Sequence, residues 1–222
     1  MDKVVGSKAY SFFDWVFRLV IVNLLTVLLS FLVVTILPAI VAAYKTIQDY
    51  IRGNSENVYR LYFRNFKTYS EKSFFIWIIF ILIMGISFIS INYYIGIDTE
   101  NIFASIGFYV MVVMVILVVF TLLHMPLILI NFPKLTLMET VRASILVGGK
   151  YFITTSILLV IFIGGLALLP ILPISVLIGI SFPIYLSTTL TLPVYTYLTK
   201  IKFEDRFHYE EGDDIDEDNH GN

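Results

Sequence analysis

Four stretches of the chain contain no Asp, Glu, Lys or Arg, and each is long enough to cross a lipid bilayer. They cover residues 19–44, 73–97, 101–133 and 151–199, with lengths of 26, 25, 33 and 49 residues. A helix rises about 1.5 Å per residue and the hydrocarbon core is about 30 Å thick, so about 20 apolar residues suffice for one crossing. A water-soluble domain could not bury this much apolar surface. The sequence therefore predicts an integral membrane protein with several spans.

The composition supports this prediction. Hydrophobic residues make up 58% of the 222 residues and charged residues only 14%, whereas soluble domains contain about 25% charged residues. We predict one membrane domain over residues 1–203. Residues 204–222 contain nine Asp and Glu, which predicts a disordered, solvated acidic tail. The absence of cysteine excludes disulfides and thiolate metal sites.

The number of spans follows from the lengths of the stretches. The 49-residue stretch must hold two helices, because Pro170 and Pro173 interrupt helical hydrogen bonding. The 33-residue stretch would be about 50 Å long as one helix, too short for two helices and a turn. We therefore predict an all-α, polytopic membrane helical bundle with short amphipathic helices on the cytoplasmic side. Its five transmembrane helices would cover residues 18–42, 74–95, 103–131, 151–169 and 174–198.

The orientation follows from the distribution of Lys and Arg. With five spans, one side carries loop 45–72, loop 134–150 and the C-terminal segment, which hold twelve of the fifteen basic residues. The other side carries Lys3, Lys8 and Arg18. The positive-inside rule then places the N-terminus outside the cell and the C-terminus in the cytoplasm. The expected location is a plasma membrane, crossed several times.

Three segments carry a resemblance to a known family. They are the amphipathic lead-in at 13–18, the end of the first span at 35–39 with the later aromatic and basic run at 63–67, and residues 135–143. In these segments the chain resembles the YesL-like family of small bacterial integral membrane proteins, a family of unknown function. Leu37 departs from the pattern, since many members have Gly there. The resemblance implies a bacterial cytoplasmic membrane and a link to carbohydrate uptake, because family members are often encoded beside sugar-uptake systems. It assigns no catalytic residue.

Loop 45–72 contains a basic and aromatic helix. Arg60, Arg64 and Lys67 recur at i, i+4 and i+7 and share one face, while Tyr62 and Phe66 share another. Such a helix suits the headgroup layer of a membrane. One interpretation is a docking surface for a partner or for anionic lipid. The other is that the charges only set the topology and anchor the loop.

A second cytoplasmic helix is predicted after Thr136. Thr136 and Glu139 have the spacing of a capping box, and Gly148-Gly149 follows where a helix would end. We expect a short amphipathic helix along the inner membrane face. It would either contact a cytoplasmic partner or serve as a connector.

Three prolines suggest a cavity. Pro38, Pro126 and Pro193 lie near the cytoplasmic ends of spans one, three and five, where each would kink its helix. Aligned kinks would open a cavity with Thr35 and His124 near its mouth, as in transporters with broken helices. The alternative is that these prolines are structural, since proline is common in membrane helices.

Two polar residues within spans are candidates for a specific role. Asn23 belongs to a polar stripe typical of helix–helix packing in lipid. His124 is the one residue among Asp, Glu, Lys, Arg and His in the interior of a predicted span, since Arg18 lies at the very edge of the first, and such residues are functional candidates. It has no carboxylate partner in any span, which disfavours a proton-coupled transporter. With three histidines in total, two of them in the tail, no metal site is expected.

The function classes follow from these features. No nucleophile motif, phosphate loop or dinucleotide fingerprint appears, so we predict a protein that is not an enzyme, with no cofactor and no nucleic-acid partner. The leading hypothesis is an accessory or regulatory partner of another membrane system, such as a sugar transport system, that acts through its cytoplasmic loops. The alternative is a small transporter or facilitator subunit built around the proline-kinked spans.

Overall fold

The computed structural model describes residues 8–96, 102–168 and 177–201. In these ranges every long regular element is an α-helix, which confirms the all-α class for the part of the chain described. The predicted proline turn near 170–173 and the acidic tail lie outside these ranges. The seven helices are α1 (Lys8–Ser30), α2 (Ile36–Ile51), α3 (Val58–Ile95), α4 (Ile102–Asn131), α5 (Leu137–Lys150), α6 (Phe152–Leu168) and α7 (Ser181–Lys200).

The predicted first span, 18–42, is not one helix. Helix α1 ends at Ser30, Leu32 is extended with φ −82° and ψ 113°, and a single 3-10 turn at Val33–Thr35 precedes α2. Pro38 then lies in the first turn of α2. Backbone N–H groups in a first turn have no partner within the helix, so a proline there costs no hydrogen bond. Pro38 therefore helps to begin a helix and does not kink one.

Helices α1 and α2 form an antiparallel hairpin. At its open end the rings of Trp15 and Tyr50 are 6.4 Å apart. Nearer the turn, the hydroxyl of Tyr62 on α3 lies 3.2 Å from Thr26 Oγ1 on α1 and 3.0 Å from the carbonyl oxygen of Ala39 on α2. Residue 15 is thus beside residue 50, and residues 26 and 39 both lie near Tyr62. The two helices therefore run in opposite directions, and the chain reverses at the turn between them. The prediction that residues 18–42 form one straight span is therefore wrong, while the orientation of the N-terminus stays a prediction.

Helix α2 is the centre of the bundle. Eleven of its sixteen residues are buried, and it packs against α1, α3, α4 and α7. It ends at Ile51. Gly53 has a φ of +90°, its N–H donates to the carbonyl of Tyr50, and the N–H of Asn54 donates to the carbonyl of Asp49. This is a Schellman motif, in which a glycine in the left-handed region closes the helix.

The predicted loop helix and the predicted second span are one helix. Helix α3 has 38 residues and is therefore about 57 Å long, nearly twice the thickness of the hydrocarbon core. Asn57 caps its start by accepting a hydrogen bond from the N–H of Tyr59. Helix α4 packs beside it, and a Cβ on Gly107 would lie 2.5 Å from the ring of Tyr94. The prediction that the 33-residue stretch is a single helix is confirmed.

The described helices are those of a membrane protein, but they do not confirm five spans. Three are long and apolar enough to cross a bilayer, at Phe12–Ser30, Val58–Ile95 and Ser105–Asn131, among the described residues. A fourth is possible if α5 and α6 count as one broken span, although they meet at 99°. The apolar windows of α3 and α4 are only 17% and 11% buried, so most of their side chains face outward, as in lipid-exposed helices.

The capping box before α5 is confirmed. Thr136 Oγ1 accepts from the N–H of Glu139, and the Glu139 carboxylate accepts from the N–H of Thr136. The predicted end at Gly148-Gly149 is wrong, because α5 continues to Lys150. Small and hydroxyl-bearing residues form its buried face, which packs against α4, with Ser144 Oγ 3.6 Å from the sulfur of Met125.

The start of α7 is capped by a residue from α1. The Asn23 amide oxygen accepts hydrogen bonds from the N–H groups of Ile180, at 2.9 Å, and Ser181, at 3.1 Å. Asn23 is buried, so no water is available to replace it. Close to this point, α6 and α7 meet at Gly165, where a Cβ would lie 2.5 Å from Cγ of Pro183. Asn23 was predicted to take part in helix packing because of its polar stripe. In the structure it does so by accepting hydrogen bonds from two N–H groups at the start of α7.

Replacement of Asn23 by Leu leaves two backbone donors without this acceptor, the part-buried N–H of Ile180 and the buried N–H of Ser181. We expect a loss of about 1–3 kcal/mol of stability, seen as a lower midpoint of thermal unfolding in detergent. Asn92→Leu is the matched control, because the Asn92 amide bonds only a carbonyl of its own helix, Phe88. Equal midpoints for the two variants would contradict the capping role.

Replacement of Gly165 by Ala drives a methyl group into the rigid ring of Pro183. We expect α6 and α7 to separate locally at a cost of about 1–3 kcal/mol, measured by the same unfolding assay. Gly164→Ala is the control, because nothing lies within 4 Å of a Cβ at Gly164. Its midpoint should be unchanged or higher, and a loss as large as that of Gly165→Ala would refute this contact.

Candidate functional site

The basic face of α3, defined as Arg60, Arg64 and Lys67, lies on the surface. All three residues are exposed, which agrees with their helical spacing. Arg64 makes a two-pronged ion pair with Glu56, with distances of 2.9 Å and 2.8 Å. This pair holds the Arg64 guanidinium against the start of α3, while the exposed Arg60 and Lys67 side chains add positive charge above and below it.

The aromatic face of the same helix points inward. Tyr62 is fully buried, so its predicted place on a docking surface is wrong. Phe66 is half-buried and packs against the core. Asn65, on the same inner side, donates to Thr46 Oγ1 at 3.1 Å and to an Asp49 carboxylate oxygen at 3.4 Å. These inward contacts hold the outer, basic face in a fixed orientation.

Polar residues missed by the sequence analysis join α2 to its neighbours. The Gln48 amide donates to the amide oxygen of Asn131 at the end of α4, at 3.1 Å. On the same turn of α2, Lys45 and Asp49 form an ion pair of 2.7 Å, partly shielded from solvent. The i, i+4 spacing of Lys45 and Asp49 was a usable signal. No spacing in the sequence relates Gln48 to Asn131, 83 residues away.

His124 is the centre of a buried cluster that also contains Thr155 and Tyr195. Its Nδ1 lies 2.9 Å from the Tyr195 hydroxyl and its Nε2 lies 2.9 Å from Thr155 Oγ1. All three side chains are buried. The cluster links α4 to α6 and α7, and neither partner could be read from the sequence, because they are 31 and 71 residues from the histidine.

The hydrogen bonds in this cluster suit a neutral imidazole. The Thr155 hydroxyl donates to the carbonyl of Gly148 at 2.9 Å, with the carbonyl of Tyr151 at 3.1 Å. Its single hydrogen is thereby used, so His124 Nε2 is assigned as the donor to Thr155 and Nδ1 as the acceptor from Tyr195. Each polar atom then has a partner without a net charge. This arrangement holds three helices together and offers no carboxylate for a proton relay.

The three predicted kink prolines do not gather around one cavity. Pro126 lies inside α4 and Pro193 inside α7, but Pro193 is exposed and Pro38 begins α2. Pro126 alone lines a cavity of about 310 Å³ between α2, α4 and α6. The other walls are apolar or aromatic and include Ile40, Tyr44, Trp77 and Phe162. Thr35 is not among the lining residues, because its hydroxyl bonds the carbonyls of Leu29 and Leu32.

The chemistry available in the described ranges is limited. No group of three His, Asp or Glu side chains there is placed to hold a metal ion. The His124 cluster is satisfied by bonds between helices, while the buried Tyr44 hydroxyl, Gln48 Oε1 and Ser187 Oγ have no hydrogen-bond partner in the described part of the chain. The cavity beside Pro126 is lined mainly by apolar side chains. The basic face of α3 is exposed at the surface and can attract an anionic partner.

Comparison with known proteins adds one partial match. Residues 19–91 match the model of a family described as "Protein of unknown function, DUF624". The match begins in α1, includes α2, and ends in α3, and therefore contains the hairpin and the basic face. No curated protein and no solved structure matches the chain significantly.

Replacement of Tyr195 by Phe removes the donor to His124 Nδ1. We expect a loss of about 1 kcal/mol of stability, measured as the midpoint of thermal unfolding in detergent. Tyr197→Phe, at an exposed tyrosine two residues further along the same helix, should have almost no effect. In a double-mutant cycle with His124→Phe, the two losses should be less than additive, and strict additivity would show that the hydrogen bond carries no stability.

Proposed function

We propose that the protein is a non-enzymatic membrane protein that acts as an accessory or regulatory partner of another membrane system, through the basic face of α3. The observation that supports this proposal best is the contrast between the two sides of one helix. Its inner side is held by the buried Tyr62 and Asn65, and its outer side presents Arg60, Arg64 and Lys67 to solvent.

A rigid basic surface is suited to recognition. Long basic side chains lose conformational freedom when they bind, and the loss is smaller where the backbone is already held in place. Both terminal nitrogens of Arg64 already contact the Glu56 carboxylate, so an acidic partner would meet Arg60 and Lys67 first and would compete with Glu56 for Arg64. An acidic surface on a partner protein would complement this face and be guided to it from a distance.

The choice of a sugar transport system as the partner to test first comes from the family resemblance alone. Relatives in the YesL-like family are often encoded beside sugar-uptake systems, and the match over residues 19–91 includes the basic face. We therefore propose the membrane or cytoplasmic subunits of a sugar transport system as the first partners to test.

A small transporter or facilitator subunit is the second candidate. The cavity beside Pro126 supports this function in part, because it adjoins a helix without a complete set of backbone hydrogen bonds. Its apolar walls favour an apolar occupant over a sugar or an ion. The transporter proposal therefore rests on weaker support than the partner proposal.

The partner proposal is tested by cross-linking in native membranes, followed by mass spectrometry. The test variant carries Arg60→Ala, Arg64→Ala and Lys67→Ala. At up to about 1 kcal/mol for each exposed charge pair, binding to an acidic partner should weaken roughly tenfold to 100-fold. Specific cross-linked proteins should disappear from the test variant.

The control variant removes three exposed basic residues elsewhere, with Arg142→Ala, Lys150→Ala and Lys200→Ala. It has the same change in net charge and should keep the cross-linked proteins. If both variants keep them, or both lose them, the basic face is not a specific docking surface.

A further inference from the structure

We infer that the α1–α2 hairpin enters the bilayer from the side that carries the basic residues and returns to that side without crossing. Its tip, defined as Phe31–Val34, then lies among the acyl chains of the membrane. This inference concerns how the chain is held in lipid and does not depend on the proposed partner.

The lengths of the two arms are the first argument. Helix α2 has 16 residues and a length of about 24 Å, less than the hydrocarbon thickness of about 30 Å. Helix α1 carries an ion pair of 2.8 Å between Asp14 and Arg18, which belongs near the membrane surface. From Arg18 to Ser30 the helix rises about 18 Å. Neither arm reaches across the core from its last charged residue.

The chemistry of the tip is the second argument. Phe31, Leu32, Val33 and Val34 are exposed by 88%, 64%, 62% and 42%. A turn in water is normally rich in Gly, Pro, Asn, Asp or Ser, and none of these residue types occurs in the tip. Four exposed apolar side chains in a row are stable where the surroundings are lipid.

The hydrogen bonds of the turn's backbone are the third argument for a position in lipid. Irregular backbone is tolerated at membrane depth only where protein groups satisfy its N–H and C=O groups. The indole of Trp77 donates to the carbonyl of Val33 at 2.7 Å. The Thr35 hydroxyl donates to the carbonyls of Leu29 and Leu32, and the Thr35 N–H donates to the carbonyl of Leu32. The turn and the neighbouring helix α3 thus supply partners for the carbonyls of Leu29, Leu32 and Val33.

The distribution of charge sets the side of entry. The hairpin places the start of α1 at the same end as residues 52–57, which puts it with the basic residues of loop 45–72. Counted along the sequence with loop 134–150 and the C-terminal segment, all fifteen Lys and Arg then belong to one side, and residues 97–101 and 169–176 contain none. The positive-inside rule assigns that side to the cytoplasm. Both ends of the hairpin are therefore cytoplasmic, which reverses the orientation predicted for the N-terminus.

The experiment uses the absence of cysteine in the chain. Single-cysteine variants Ser7→Cys, Leu32→Cys, Ser55→Cys and Thr99→Cys are treated with a membrane-impermeant maleimide. Each is labelled in intact cells, in inverted vesicles and after solubilisation in detergent. We expect Ser7→Cys and Ser55→Cys to react only in vesicles and detergent, and Thr99→Cys to react in intact cells. Leu32→Cys should react only in detergent.

Two results would overturn the inference. Labelling of Leu32→Cys in intact cells would show that the hairpin crosses the membrane, and labelling of Ser7→Cys there would show that α1 and α2 act as a single crossing. Val34→Cys, also exposed at the tip, provides a second position if Leu32→Cys does not fold. Elution as one symmetrical peak in detergent identifies the folded variants.

Discussion

Away from water, a backbone N–H or C=O that leaves a helix must find its partner inside the protein, and the described helix ends depend on this constraint. The turn between α1 and α2 uses the Thr35 hydroxyl and the Trp77 indole. The start of α7 uses the amide of Asn23. Trp77 and Asn23 belong to other helices. The hydrogen bonds that they make therefore also connect α3 to the turn and α1 to α7.

Side-chain hydrogen bonds also connect the helices in the interior of the bundle. In lipid, apolar burial contributes little to the association of helices, and packing of small residues with polar bonds between helices takes its place. Tyr62 joins α1, α2 and α3, and the His124 cluster joins α4, α6 and α7. Helix α2 lies between these two groups and is buried on nearly every side. The apolar side chains on the outside of α3 and α4 are left for contact with lipid.

The sequence could predict features that depend on local chemistry. The helical class, the single helix of the 33-residue stretch, the capping box at Thr136 and the end of α2 at Gly53 each follow from a few neighbouring residues. The reversal at residues 31–35 could not be predicted from hydropathy, which measures how apolar a segment is and not the direction in which it runs. The turn contains no Gly, Pro, Asn or Asp, so it resembles the middle of a span. The five-span count and the outside N-terminus both depended on that segment.

The candidate site was predictable to a similar extent. Helical spacing showed that Arg60, Arg64 and Lys67 share a face, and the structure exposes all three. Spacing does not show which face is covered, so Tyr62 was misplaced; its burial arises from contacts with Thr26 and Ala39, which are distant in sequence. Likewise, the partners of His124 lie on helices that meet it only in the folded bundle.

The continuity of α3 connects the two inferences about this protein. The basic face and the apolar outer part of α3 belong to one 38-residue helix. Tyr62 and Trp77, on the same helix, contact the two arms and the tip of the hairpin. The position of the basic face relative to the hairpin is therefore fixed by contacts within the protein, and the proposed docking surface and the inferred lipid-embedded tip would keep a constant distance along α3.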